Sequence, residues 1–120
     1  MTDLIRVGVI GAGGIARSVH LPNYQKLPHC EIVAVADVVA DSAQSAAEQF
    51  HVAHWYVDFR ELLKRDDIDA VSICTPNFIH CEATIAALEA GKHVLCEKPL
   101  AMNATEGQLM IDAAQRTGRI

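Results

Sequence analysis

The stretch Leu4-Ile5-Arg6-Val7-Gly8-Val9-Ile10-Gly11-Ala12-Gly13-Gly14-Ile15-Ala16 decides the fold. An apolar run rich in Val and Ile reads as a buried strand, and it stops at a glycine turn from which a helical stretch starts near Gly14. The turn spells G-x-G-x-x-A. Gly11 permits the tight turn, Gly13 lets a diphosphate approach the backbone, and the small Ala16 lets helix and strand pack closely. Gly14 and Ile15 then sit at a helix start, where unpaired N–H groups and the positive dipole end favour an anion. A plain strand–helix turn uses the same glycines, and the flanking strand and helix favour the phosphate loop.

Outward from this loop, short apolar runs alternate with helical stretches. Strands are predicted over Leu4–Ile10, Glu31–Ala36, Val52–Tyr56, Ala70–Cys74 and His93–Cys96. Their apolar residues run on rather than alternate, as expected of parallel strands covered on both faces. Helix starts are marked by capping-box spacings at Asp41/Gln44, Asp58/Glu61 and Asn103/Glu106. Gly91 and Gly118 stand where helices end. Ala43, Ala46, Ala47 and Phe50 form one apolar stripe, and Phe78, Cys81, Ile85 and Leu88 form another. Trp55 and Tyr56 read as third-strand packing. Pro22 breaks or kinks the first helix, and His20 packs or caps beside it. The alternation predicts an α/β fold: a doubly wound parallel sheet of five to six strands in three α/β/α layers.

The second predicted strand ends Val33-Ala34-Val35-Ala36-Asp37. An acid there accepts hydrogen bonds from a ribose and repels a 2′-phosphate, and Val38 and Val39 offer no adjacent arginine. This predicts NAD over NADP. Capping of the following loop is the competing role for Asp37, although Asp41 already supplies a helix cap.

The 120 residues suffice for one domain burying roughly two thirds of its unfolded surface. Hydrophobic residues make up 51% and charged residues 21%, with net charge −5. Without a basic stripe, nucleic acid is not expected as a partner. The four cysteines form no CxxC pair, and reduced structural thiols are preferred over disulfides or zinc, which fits a cytoplasmic protein. His29, His51 and His54 lack metal-ligand spacing, so no metal is expected. The first apolar run is too short to span a bilayer and has no basic leader. The last helix ends at Gly118, and Arg119-Ile120 stand where a sixth strand starts, as if the chain were cut there. A fifth-strand edge left unpaired could template association.

Two further motifs are Cys74-Thr75-Pro76-Asn77-Phe78-Ile79-His80 and Gly91-Lys92-His93-Val94-Leu95-Cys96-Glu97-Lys98-Pro99-Leu100-Ala101. With the glycine loop and the Val35-Ala36-Asp37 ending, they closely resemble the glucose–fructose oxidoreductase/inositol dehydrogenase (Gfo/Idh/MocA) family over the whole chain. The resemblance implies a pyrophosphate loop at Gly11, Gly13, Gly14 and Ile15, and a ribose-reading acid at Asp37. It also places Thr75, Pro76, Asn77 and His80 beside the nicotinamide half of the cofactor. Glu97 and Lys98 match the pair at the nicotinamide ribose, with Lys98 facing the substrate hydroxyl as the catalytic lysine, and Lys98–Pro99 is expected cis. A partly desolvated lysine there exchanges a proton with the substrate hydroxyl. By spacing alone, Glu97-Lys98 is equally a solvated charged pair before a turn.

The resemblance further implies a sugar- or polyol-type substrate and a homo-oligomer in the full-length protein. It also implies a second α/β domain, bearing an acid-and-histidine pair, beyond residue 120. The readings left open are an NAD-dependent oxidoreductase seen as its cofactor domain, a non-catalytic NAD-binding module, and an isolated Rossmann fragment.

Overall fold

A computed structural model describes residues 3–120. Five strands, β1 (Ile5–Ile10), β2 (Cys30–Ala36), β3 (His54–Tyr56), β4 (Ala70–Ile73) and β5 (His93–Cys96), form one parallel sheet in the order β3-β2-β1-β4-β5. The order runs one way from β1 to β3 and the other way from β1 to β5. The crevice between the β1 and β4 ends is therefore the switch point, where open α/β sheets bind ligands.

Consecutive residues of the central strands enter opposite cores, which is why their sequence shows no alternation. Val9 and Val35 join Ala16, Leu21, Ala46, Ala47 and Phe50 on one face. Ile10, Ala34 and Val71 join Leu62, Leu63, Ala83 and Ala87 on the other. The first core is covered by a π-helical turn (Ala16–His20) continuing as α1 (Leu21–Gln25), together with α2 (Ala40–Gln49). The second is covered by α3 (Phe59–Leu63) and α4 (His80–Glu89), with α5 (Ala104–Thr117) packed outside α4. Three layers result, as the strand–helix alternation predicts.

Local differences have local causes. β3 is shorter than predicted because the Val52 N–H donates to Ala47 O and so closes the end of α2 instead of pairing in the sheet. Asp58 and Asn103 cap α3 and α5, accepting from the N–H groups of Arg60 and Glu106 at 2.9 Å each. Asp41 caps nothing: α2 starts from Val39, and Asp41 lies within its first turn. The α2 stripe is buried as predicted. Of the α4 stripe, Cys81 and Leu88 are buried and Ile85 half-buried, and because α4 lies between the sheet and α5 it buries a second face through His80, Ala83, Thr84 and Ala87. Phe78 is left 66% exposed at the cleft. Trp55, on the edge strand, is exposed rather than packed.

Pro22 enters α1 at its first turn behind the π turn, so the chain stays helical through it and carries the distortion upstream. The four cysteines are free, and burial pushes the Cys74 thiol up to about 12. At the outer edge of β5, the Val94 N–H donates to Ile120 O at 2.8 Å. No helix among the described residues is long and apolar enough to cross a membrane.

Candidate functional site: a dinucleotide cleft at the switch point

A cleft of about 700 Å³ opens at the carboxyl ends of β1, β2 and β4, with Gly11, Gly13, Asp37, Thr75 and Pro76 in its lining. Gly11 has φ +98°, and a Cβ there would lie 2.6 Å from the backbone of Cys74, so the turn admits only glycine. A Cβ on Gly13 or Gly14 would meet nothing within 4 Å. That open space over the backbone is what a diphosphate needs. The first helical bond runs from the Arg17 N–H to Gly13 O, so the N–H groups of Gly14 and Ile15 are free of intrahelical acceptors. Ala16 is fully buried, consistent with close helix–sheet packing.

Asp37 is held before any ligand arrives. One carboxylate oxygen accepts the Ala12 N–H at 2.8 Å and the other accepts the Val39 N–H at 2.9 Å. The loop-capping role is therefore real. It leaves the carboxylate further lone pairs with which to accept from a ligand hydroxyl. Sequence reasoning misses two arginines, one behind the glycine loop and one in the cleft lining. Arg17 donates to Ala12 O at 2.9 Å and to Ser42 O and Ser45 Oγ, tying the glycine loop to α2. Arg60 lines the cleft from α3, far from Asp37 in sequence. Its guanidinium lies 4.6 Å from the centre of the Phe59 ring and pairs with Asp58 and Glu82.

Of the second group of expected residues, Thr75 and Pro76 line the cleft, while Asn77, His80, Glu97 and Lys98 lie along the same sheet edge outside its lining. Asn77 is exposed at the head of α4. His80 has no accessible surface, and its two ring nitrogens face Pro99 O at 2.7 Å and Thr75 O at 3.0 Å. It straps the β4 loop to the β5 loop and presents nothing to a ligand. Glu97 Oε1 accepts from His20 Nε2 at 2.7 Å, and Oε2 accepts the Lys98 N–H at 3.2 Å. The His20 bond is the main reason the Glu97 carboxyl lies below the usual range. His20 is thus a buried partner of Glu97 and not merely packing. Lys98 precedes a cis peptide to Pro99, and its side chain is exposed among the described residues.

A model of an oxidoreductase family with an NAD-binding Rossmann fold, Gfo/Idh/MocA, matches residues 5–120. The chain belongs to this family. It is 41% identical over 116 residues to D-glucoside 3-dehydrogenase of Escherichia coli, covering 97% of this chain and 33% of that protein. To inositol 2-dehydrogenase of Salmonella paratyphi B it is 38% identical over 117 residues, covering 96% and 34%. A 3-ketoreductase from Actinomadura kijaniata, solved with TDP-benzene and NADP, superposes with TM-score 0.92 at 37% identity, covering 98% of this chain and 37% of that one. The chain thus spans about a third of the length of the relatives it matches. Its fold is the NAD(P)-binding Rossmann fold, and its relatives include sugar and polyol dehydrogenases and a ketoreductase.

Proposed function

We propose that this chain is the cofactor half of an NAD-dependent oxidoreductase acting on a hydroxyl or carbonyl carbon of a sugar, polyol or related compound. The observation that carries the reading is the cleft itself: an open glycine backbone, free helix N–H groups and a fixed carboxylate converge at the switch point. These residues fit a dinucleotide. Gly13, Gly14 and Ile15 would hold its diphosphate, and Asp37 its adenosine ribose. Bound there, a nicotinamide supplies hydride exchange with the substrate carbon.

The rest falls to the chain's own groups. Thr75, Pro76 and Asn77 border the approach to the nicotinamide side, and His80 fixes that border from behind. Glu97 orients the Lys98 backbone. Lys98 exchanges the proton of the substrate hydroxyl. Its exposure means that orientation and desolvation of the substrate come from surfaces outside these residues. Orientation is worth roughly 7–11 kcal/mol of barrier, so turnover by this chain alone is expected to be negligible.

The preference for NAD rests on the Asp37 charge and on Val38 and Val39, both exposed and uncharged at the cleft. The NADP in the Actinomadura relative makes the preference a point to test. Titrating the chain with NAD and NADP should give tighter NAD binding, and Asp37→Ala should narrow the gap. An unchanged ratio would remove the ribose role from Asp37. A non-catalytic NAD-binding module shares every feature of the cleft. The Lys98 loop, held by side chains from two other elements, favours the enzyme.

A further inference from the structure

Behind the Lys98 loop lies a polar chain in an otherwise apolar layer. His20 is 7% exposed and Ser72 fully buried. The Tyr24 hydroxyl is 2.5 Å from Ser72 Oγ, Ser72 Oγ is 3.1 Å from His20 Nδ1, and His20 Nε2 is 2.7 Å from Glu97 Oε1. His20 closes the π-helical turn, whose wider winding is a local departure from the α-helix around it. Such turns are frequent where a side chain must be re-aimed for function.

Donor accounting gives the chain a direction. An ionised carboxylate can only accept, so Nε2 carries a proton toward Glu97. With Nδ1 accepting, Ser72 donates to it, and the Tyr24 hydroxyl donates to Ser72. Every hydroxyl and ring proton is then used once, and all point toward Glu97. The other Glu97 oxygen takes the Lys98 N–H. The line from Tyr24 thus ends on the backbone of the residue read as catalytic.

We propose that His20, backed by Ser72 and Tyr24, is a positioning residue that aims the Glu97 carboxylate and through it sets the Lys98 backbone for the nicotinamide side of the site. The role in cofactor binding rests on the functional reading above; the hydrogen-bond relay itself does not. Burial pushes the Tyr24 hydroxyl's pKa upward, which suits a donor that keeps its proton.

The test is built on NADH affinity and on the Lys98 amide resonance. His20→Leu and Glu97→Gln should each weaken NADH binding about tenfold, the loss of one charge-assisted bond, and the double variant should be no weaker than either. Each should also shift the Lys98 amide resonance. His20→Gln, whose amide can donate from near the Nε2 position, should recover most of both signals. A His20→Leu variant with wild-type affinity and Lys98 shift would overturn the proposal. So would a folded His20→Gln as weak as His20→Leu.

Should the substitutions unfold the chain, the wild-type imidazole decides: nitrogen-coupled NMR must find the proton on Nε2, and an Nδ1–H tautomer with bare Nε2 contradicts the relay. A wild-type chain that binds no NADH would defeat the functional reading, while the ring proton and the Lys98 amide would still decide the relay.

Discussion

The glycine loop after β1 and the loops after β4 and β5 stand along one sheet edge and are held by different means. The first is held by close main-chain packing, to which the Asp37 and Arg17 side chains add bonds at Ala12. Gly11 packs against Cys74, the Gly11 N–H bonds Ala36 O, and Asp37 takes the Ala12 N–H. The others are held by imidazoles from elsewhere, His80 bridging Thr75 O and Pro99 O and His20 gripping Glu97. A backbone-held loop has few ways to move and suits an invariant diphosphate. A loop held by side chains can be retuned by one residue at a distance, which suits the end of the site where chemistry differs between substrates.

The largest expected effect separates two glycines of one loop. Gly11→Ala should destabilise the chain by about 3 kcal/mol or more, because both its φ and the Cys74 backbone forbid a Cβ. Gly13→Ala, with open space, should change the denaturation midpoint little and instead weaken dinucleotide binding about tenfold or more. Equal stability losses would dissolve the distinction.

Next is the strap. His80→Leu should cost about 2–3 kcal/mol by removing the buried ring between the Thr75 and Pro99 carbonyls, with amide shifts at Thr75 and Asn77 and at Lys98 and Leu100. Shifts confined to the β4 loop would show that the two loops are not coupled through this ring. Arg17→Ala, which cuts the side-chain tie from the glycine loop to α2, should cost about 1–2 kcal/mol in urea denaturation.

The smallest effect is a pH dependence. Glu97 has a depressed pKa in the folded chain, so its contribution to stability is present above the ordinary carboxylate range, near pH ~4, and is lost as pH falls through the folded value. The difference in urea midpoint between wild type and Glu97→Gln should therefore shrink on acidification. A difference that grows below that range would reverse the sign.

The same contrast explains what could be read in advance. The strands, the glycine turn and the caps at Asp58 and Asn103 are local patterns, and apart from the shortened β3 each appears where its spacing places it. The cap expected at Asp41 is absent because the end of β2 delivers the chain to α2 at Val39, a tertiary effect that a four-residue motif cannot report. The His80 strap, the Arg17 tie, the arrival of Arg60 and the His20–Glu97 pair join residues distant in sequence. They depend on the sheet bringing separate elements side by side: α2 beside the glycine loop, the β4 loop beside the β5 loop, and β5 beside the first helix. A histidine just before Leu21-Pro22 was the one visible hint of the His20 pair, and its position in a helix made packing the simpler reading.

The most direct test of the account is amide chemical-shift mapping of the chain titrated with NAD. Saturable shifts with one stoichiometry should appear at Gly13, Gly14, Asp37 and Thr75 and extend to Lys98. No shifts, or shifts clustered instead in the groove at the opposite end of the sheet around Arg6, Cys30, His51 and Asp67, would contradict a dinucleotide site at the switch point.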